Sequence, residues 1–171
     1  MTSDSTGPVD RPVIRGRQAI LHRVLGGLFA AMAVFQLADL PGFVGVLETF
    51  QLGGAGLAWA FAVALLAGEL VSGGWLLVAP GRWPLVPALV FAATSAMWSA
   101  LAAQAFAWGL VLDNCGCFGV YLAQPLRWWV LVQDAALLGY SALLLRAAIR
   151  ARPAISPSAP RGAPPRLLRP S

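Results

Sequence analysis

Four long apolar stretches, at residues 24–40, 57–78, 85–112 and 128–145, alternate with short segments of turn-forming residues. Each is near or above the ~20 apolar residues that a helix needs to cross roughly 30 Å of hydrocarbon. Turn chemistry separates them: Pro41-Gly42 and Gly53-Gly54, then Pro80 through Pro84, then Gly116, Gly119 and Pro125. The pattern predicts an all-α polytopic membrane protein, a four-transmembrane-helix bundle over residues 19–147. The flanks, residues 1–18 and 148–171, are rich in Ser, Pro, Gly and Arg and are expected to be disordered tails.

Composition narrows the class. Apolar residues make up 58% of the chain and charged ones 11%, with a mean hydropathy of +0.72. A soluble domain carries about a quarter charged residues, and a disordered chain is charge-rich and poor in apolar side chains, so both are excluded. The net charge of +5 comes from twelve basic residues, all arginine. Their placement argues against nucleic acid as a partner. Arg11, Arg15, Arg17 and Arg23 precede the first span, Arg82 lies in the second loop, and Arg146, Arg150, Arg152, Arg161, Arg166 and Arg169 follow the last. Arg127 alone falls on the other face, with Asp39, Glu48 and Asp113. Positive residues near span ends stay cytoplasmic, so both termini are expected in the cytoplasm and the loop around Cys115 outside it. Ala31-Met32-Ala33 has the spacing of a signal-peptide cleavage site, but the long positive region and the apolar run to Leu40 favour a retained span.

Helices in lipid associate through small side chains, and two ladders offer this: Ala64, Gly68 and Ser72, and Ser95, Ser99, Ala103 and Ala107. Trp59, Trp83, Trp108, Trp128 and Trp129 lie near span ends, where indole rings act as interfacial anchors.

Candidate chemistry gathers in two places. The only cysteines stand together in Asp113-Asn114-Cys115-Gly116-Cys117-Phe118-Gly119, on the side where disulfides persist. Zinc would need four ligands, and the one histidine, His22, is expected at the far end of the first helix, so no metal site is expected within the chain. A bond between the two cysteines, bonds to a partner, a metal shared with a second chain, or a pair of small buried hydrophobes are the alternatives. A Cys115–Cys117 ring is very short and needs the folded backbone that Gly116 permits. Strain of that kind makes a disulfide easier to reduce, which favours exchange over a structural role. Arg127 would stabilise a thiolate and Asp113 would oppose it. The second place is the membrane interior. Glu69 falls deep in the second span, where an ionisable group is a functional candidate, a proton relay for example, as well as a candidate interhelical hydrogen bond. Gln36, Gln104, Gln133 and Asp134 fall in the extracytoplasmic half of their helices and are expected to meet as a polar pocket beneath the cysteine loop, or to serve as interhelical glue.

The string Cys115-Gly116-Cys117-Phe118-Gly119 after a third span, with Glu69-Leu70 in the second, resembles the MauE (methylamine utilisation) family, related to DoxX-like four-helix membrane proteins. The likeness extends from about Ile20 to Ala147 and takes in Asp39, Gly42-Phe43 and Leu47-Glu48-Thr49-Phe50. It implies a multi-pass protein of the cytoplasmic (inner) membrane that supports maturation of an extracytoplasmic enzyme of methylamine dehydrogenase type, alongside a thioredoxin-like partner. Cys115 and Cys117 then take the redox role and Glu69 the intramembrane acidic position. Residues and resemblance together give the expectation of a thiol–disulfide redox protein, a possible oxidoreductase, whose partners are the lipid bilayer and an extracytoplasmic thioredoxin-like protein or client. No cofactor motif is evident, and a membrane quinone is the candidate electron carrier. The alternatives are a non-enzymatic assembly or export factor with a structural cysteine loop and, with little support in a chain without repeats, a proton-coupled transporter using Glu69.

Overall fold

The computed structural model describes residues 11–79 and 85–150. Five helices, and no strand, form among them: α1 (Arg11–Ala38), α2 (Leu40–Glu48), α3 (Ala55–Val78), α4 (Leu85–Ala107) and α5 (Trp128–Arg150). Residues Ala19–Ala38 of α1, together with α3, α4 and α5, are long and apolar enough to cross a membrane, which makes this a multi-pass membrane protein held in a lipid bilayer. Arg82, Trp83 and the segments 1–10 and 151–171 lie outside the described residues.

Three boundaries differ from the sequence pattern. α1 starts at Arg11, inside the expected tail, because Pro12 falls in the first turn, where its missing N–H costs nothing. α5 likewise continues to Arg150. α4 stops at Ala107, five residues before its apolar run ends. There Gly109, at φ +67°, closes a Schellman motif in which its N–H donates to Phe106 O and that of Leu110 to Ala105 O. Apolarity continues past that point, but helix does not.

The largest correction concerns Pro41-Gly42, read from sequence as a turn. The Asp39 carboxylate accepts a hydrogen bond from Gly42 N at 2.9 Å, with Pro41 in the first turn, and so caps a separate helix, α2. α2 turns Phe43, Val44 and Leu47 inward toward Ala58, Ala62 and Leu65 of α3. It thereby builds one end of the bundle, where Phe50, Trp98 and Leu101 complete an apolar layer. Phe29, Leu76, Phe91 and Leu144 form the layer at the other end.

α1 packs on α3, α3 on α4 and α4 on α5. The approach is close where side chains vanish. A Cβ on Gly73 of α3 would stand 2.9 Å from the backbone N of Ala30, and one on Gly68 would collide with the Thr94 hydroxyl. Of the expected ladders, Gly68, Ser72 and Ser95 are buried, whereas Ala64, Ala103 and Ala107 face outward. Steps of four residues drift about 40° per step around a helix of 3.6 residues per turn, so a long four-residue ladder leaves the seam. α1 and α5 make no close backbone contact. Leu21, Leu25 and Leu28 instead face Gln133, Ala136, Leu137 and Tyr140 across an open groove of about 290 Å³.

Candidate functional site: a thiol pair over a buried acid

The connection between α4 and α5, residues 108–127, folds back into the end of the bundle built by α2. Its limbs are joined by Leu126 N donating to Leu112 O (2.9 Å) and Cys115 N donating to Gln124 O (2.7 Å). Asn114 organises the tip: its Oδ1 accepts from Gly116 N at 3.0 Å and its Nδ2 donates to Gly119 O at 2.8 Å. Gly116 and Gly119 take φ values of +81° and +61°, the left-handed region that β-carbons disfavour. Both also press on neighbours, since a Cβ would lie 3.2 Å from Val46 on Gly116 and 3.1 Å from Phe35 O on Gly119. The loop is thus seated against the end of α1 and the side of α2.

This seating brings the sulfurs of Cys115 and Cys117 to 3.2 Å, as a pair of free thiols. Cys115 is buried and Cys117 half-buried. The hydrogen bond between the sulfurs brings Cys115 down from the ordinary thiol range to about 7, against the opposing effect of burial. The same bond, reinforced by burial, holds Cys117 well above that range. One proton therefore leaves the pair readily and the second does not. Phe50, Trp98, Ala102, Leu126, Val130 and Asp134 line the remaining wall of the pocket that holds them.

Behind this wall lies Glu69, fully buried. Its Oε1 accepts two hydrogen bonds, from Trp98 Nε1 at 2.8 Å and Gln36 Nε2 at 3.2 Å. The same Gln36 amide also donates to Cys117 O at 3.0 Å. Glu69 is therefore one residue removed from the thiols in two directions, through the indole that lines their pocket and through the amide that grips their loop. Glu69 Oε2 and Gln36 Oε1 are buried and have no hydrogen-bond partner among the described residues.

The polar quartet expected beneath the loop divides. Gln36 and Asp134 reach the thiol region, but Gln104 donates to Phe50 O at 3.1 Å and secures the end of the α2 segment. Gln133 is exposed in the groove between α1 and α5. Neighbours on a helix are about 100° apart, so Gln133 and Asp134 cannot both face inward. Arg127 lies over the Trp129 ring at 5.6 Å, a cation–π contact, and Asp113 lines a separate cleft with Val46 and Thr49. His22, expected at the far end of the first helix from the cysteines, is buried there, its ring edge-on to Tyr140 at 6.2 Å. Trp98 was not among the sequence candidates. It reads as one more aromatic in an apolar run, and only the fold shows its N–H meeting Glu69.

The family model for the methylamine utilisation protein MauE matches residues 18–147, most of the chain and all of this site. Searches of curated proteins and of solved structures give no match.

Proposed function

The chain belongs to the MauE family and is a methylamine utilisation-related membrane protein, and from that premise we propose that it is a membrane thiol–disulfide redox protein. It assists disulfide formation in, or maturation of, an extracytoplasmic enzyme, of methylamine dehydrogenase type by resemblance. Its protein partners are that client or a thioredoxin-like intermediary outside the cytoplasm. The membrane is the cytoplasmic one, with the termini inside, in keeping with the arginines that flank the spans.

One observation carries this reading: two thiols lie 3.2 Å apart in a loop that holds its shape through other bonds. The Cys115–Gln124, Leu112–Leu126 and Asn114–Gly119 hydrogen bonds hold the loop in addition to any bond between the sulfurs, which supports a pair that changes redox state without losing its frame. The pair is free to alternate between dithiol and disulfide. In exchange, a thiolate of one partner attacks a disulfide sulfur of the other, a mixed disulfide forms, and the second thiol displaces the bound sulfur. The ready ionisation of Cys115 supplies a thiolate near neutral pH. Glu69 acts on the loop and its indole wall, not on sulfur. A membrane quinone serving as electron carrier would meet the pair from outside the pocket, whose cavity of about 10 Å³ admits water and not a ring.

The test is capture in membranes. C115S and C117S variants are expressed with the client system, thiols are blocked with acid and alkylating agent, and complexes are resolved without reductant. One variant is expected to accumulate a reductant-sensitive adduct with an extracytoplasmic cysteine protein. Absence of adducts from both, with full client maturation in the double Cys→Ser variant, contradicts the proposal and favours an assembly factor with a structural loop.

A further inference from the structure

Exchange chemistry at a buried thiol pair needs a place for the second proton, and the structure offers one. Asp134 projects from α5 into the pocket shared by both sulfurs and is 8% exposed. Its side chain has no hydrogen-bond partner among the described residues. A carboxyl at this depth in a membrane span, with no protein partner, needs an explanation in the chemistry around it. The cavity between these groups, about 10 Å³, is the size of one water molecule. A water there finds two sulfurs and a carboxyl group as polar neighbours.

The other surroundings of Asp134 supply no competing proton site. Phe50 enters from the α2–α3 connection, Trp98 and Ala102 from α4, Leu126 from the loop and Val130 from the turn before it on α5, none of them titratable. Glu69 of α3 stands behind Trp98, with its Oε1 bound to that indole. Arg127 is drawn to the Trp129 ring. The titratable groups facing Asp134 are therefore Cys115 and Cys117.

We propose that Asp134 is the proton acceptor for the thiol that resolves the mixed disulfide, reached directly or through one water in the pocket. This rests on the thiol–disulfide reading above. Once either cysteine is joined to a partner sulfur, the other still carries its proton and is a poor nucleophile. Asp134 takes that proton. The resulting thiolate attacks the neighbouring cysteine sulfur, the Cys115–Cys117 bond forms, and the mixed disulfide breaks. The partner leaves as a thiolate and is protonated from solvent. The protein dithiol is oxidised by two electrons and the partner disulfide is reduced by two. In the reverse direction Asp134 returns the proton to the departing cysteine.

The experiment uses the reduced full-length protein in lipid nanodiscs and the aromatic disulfide dithiobis(nitrobenzoate), which releases coloured thionitrobenzoate at each step. The wild type is expected to release one equivalent on attack and a second on resolution, and either single Cys→Ser variant only the first. In D134N the first phase is expected within about threefold of wild type. The second is expected to slow about a hundredfold at pH 7, in the range that a positioned acid–base group contributes, and to recover as pH rises. D134E is expected to restore much of the second phase, an outcome that a packing role for the aspartate does not produce. A D134N protein that resolves as fast as wild type overturns the assignment while leaving the exchange reading intact. Release of no second equivalent by the wild type at any pH overturns the exchange reading itself. Should D134N fail to accumulate, the solvent deuterium isotope effect on the wild-type second phase decides: a rate two- to threefold slower in deuterium oxide supports proton transfer, and an unchanged rate overturns it.

Discussion

At the scale of single residues the site is a short chain of hydrogen bonds with the thiols at one end. Glu69 binds Trp98 and Gln36, and Gln36 binds the carbonyl of Cys117. Replacing Gln36 by Leu removes both donors and strands a buried acceptor, at a cost of about 1–3 kcal/mol. The Cys117 segment then loosens, so Q36L is expected to alkylate at least several-fold faster at Cys115 than wild type, measured by mass spectrometry under native conditions. Equal rates in the two proteins would show that the amide does not hold the loop. G116A places a β-carbon where φ is +81° and Val46 is close, with an expected loss of about 1–2 kcal/mol in thermal unfolding in detergent. The pH dependence follows from ionisation. Because the thiolate is the reactive form and Cys115 sits at about 7, its alkylation rate is expected to climb through pH 7 and level off above about 8. An inflection near the ordinary thiol range in the folded protein would mean that the sulfur–sulfur hydrogen bond does not act as described.

At the scale of elements, α2 decides whether there is a site at all. It forms the wall on which the loop rests, and its start depends on the Asp39 cap. D39A is expected to cost about 1 kcal/mol in stability and to raise hydrogen exchange across residues 40–48 more than in α3. Uniform exchange across both helices would speak against α2 as a separately capped unit. The Asp-x-Pro start of this helix went unread in the chain, because turn chemistry at Pro41-Gly42 looks the same locally and only packing decides between them. The four spans were legible for a simpler reason, because membrane helices declare themselves by uniform apolarity. That uniformity also conceals which face is inside. Every side of α4 is apolar, so its buried seam of Phe91, Ser95, Trp98 and Ala102 has no contrasting polar face to mark it. Small and polar residues gave partial guidance, correctly at Gly68 and Ser72 and wrongly at Ala103. The thiol motif was readable as a string, and a pocket of polar residues including Asp134 beneath it was readable from their depth in the membrane. Which of them line it was not, because that depends on helix rotation and on the loop folding back past the end of α4: Asp134 lines it with Trp98, while Gln104 and Gln133 turn elsewhere.

For the whole molecule, the design is a bundle whose two ends differ. One carries Arg23 on α1 and Arg146 and Arg150 on α5, and the other carries α2, the thiol loop and exposed Trp108, Trp128 and Trp129. The topology proposed from the arginines places the loop outside the cytoplasm, where oxidised partners occur. A membrane-impermeant maleimide added to intact cells after mild denaturant opening of the loop is expected to label Cys115 and Cys117, and labelling only after lysis would reverse the orientation. The central claim is that the pair is a working redox couple and not a buried ornament of the loop. Its most direct test is a redox titration of the purified protein in glutathione buffers, with the dithiol and disulfide separated by alkylation mass shift. A single two-electron transition with a midpoint more oxidising than about −300 mV is predicted, in the range of disulfides that exchange. A pair that stays reduced across the whole series, or a disulfide that yields only to potentials well below that value, would contradict it.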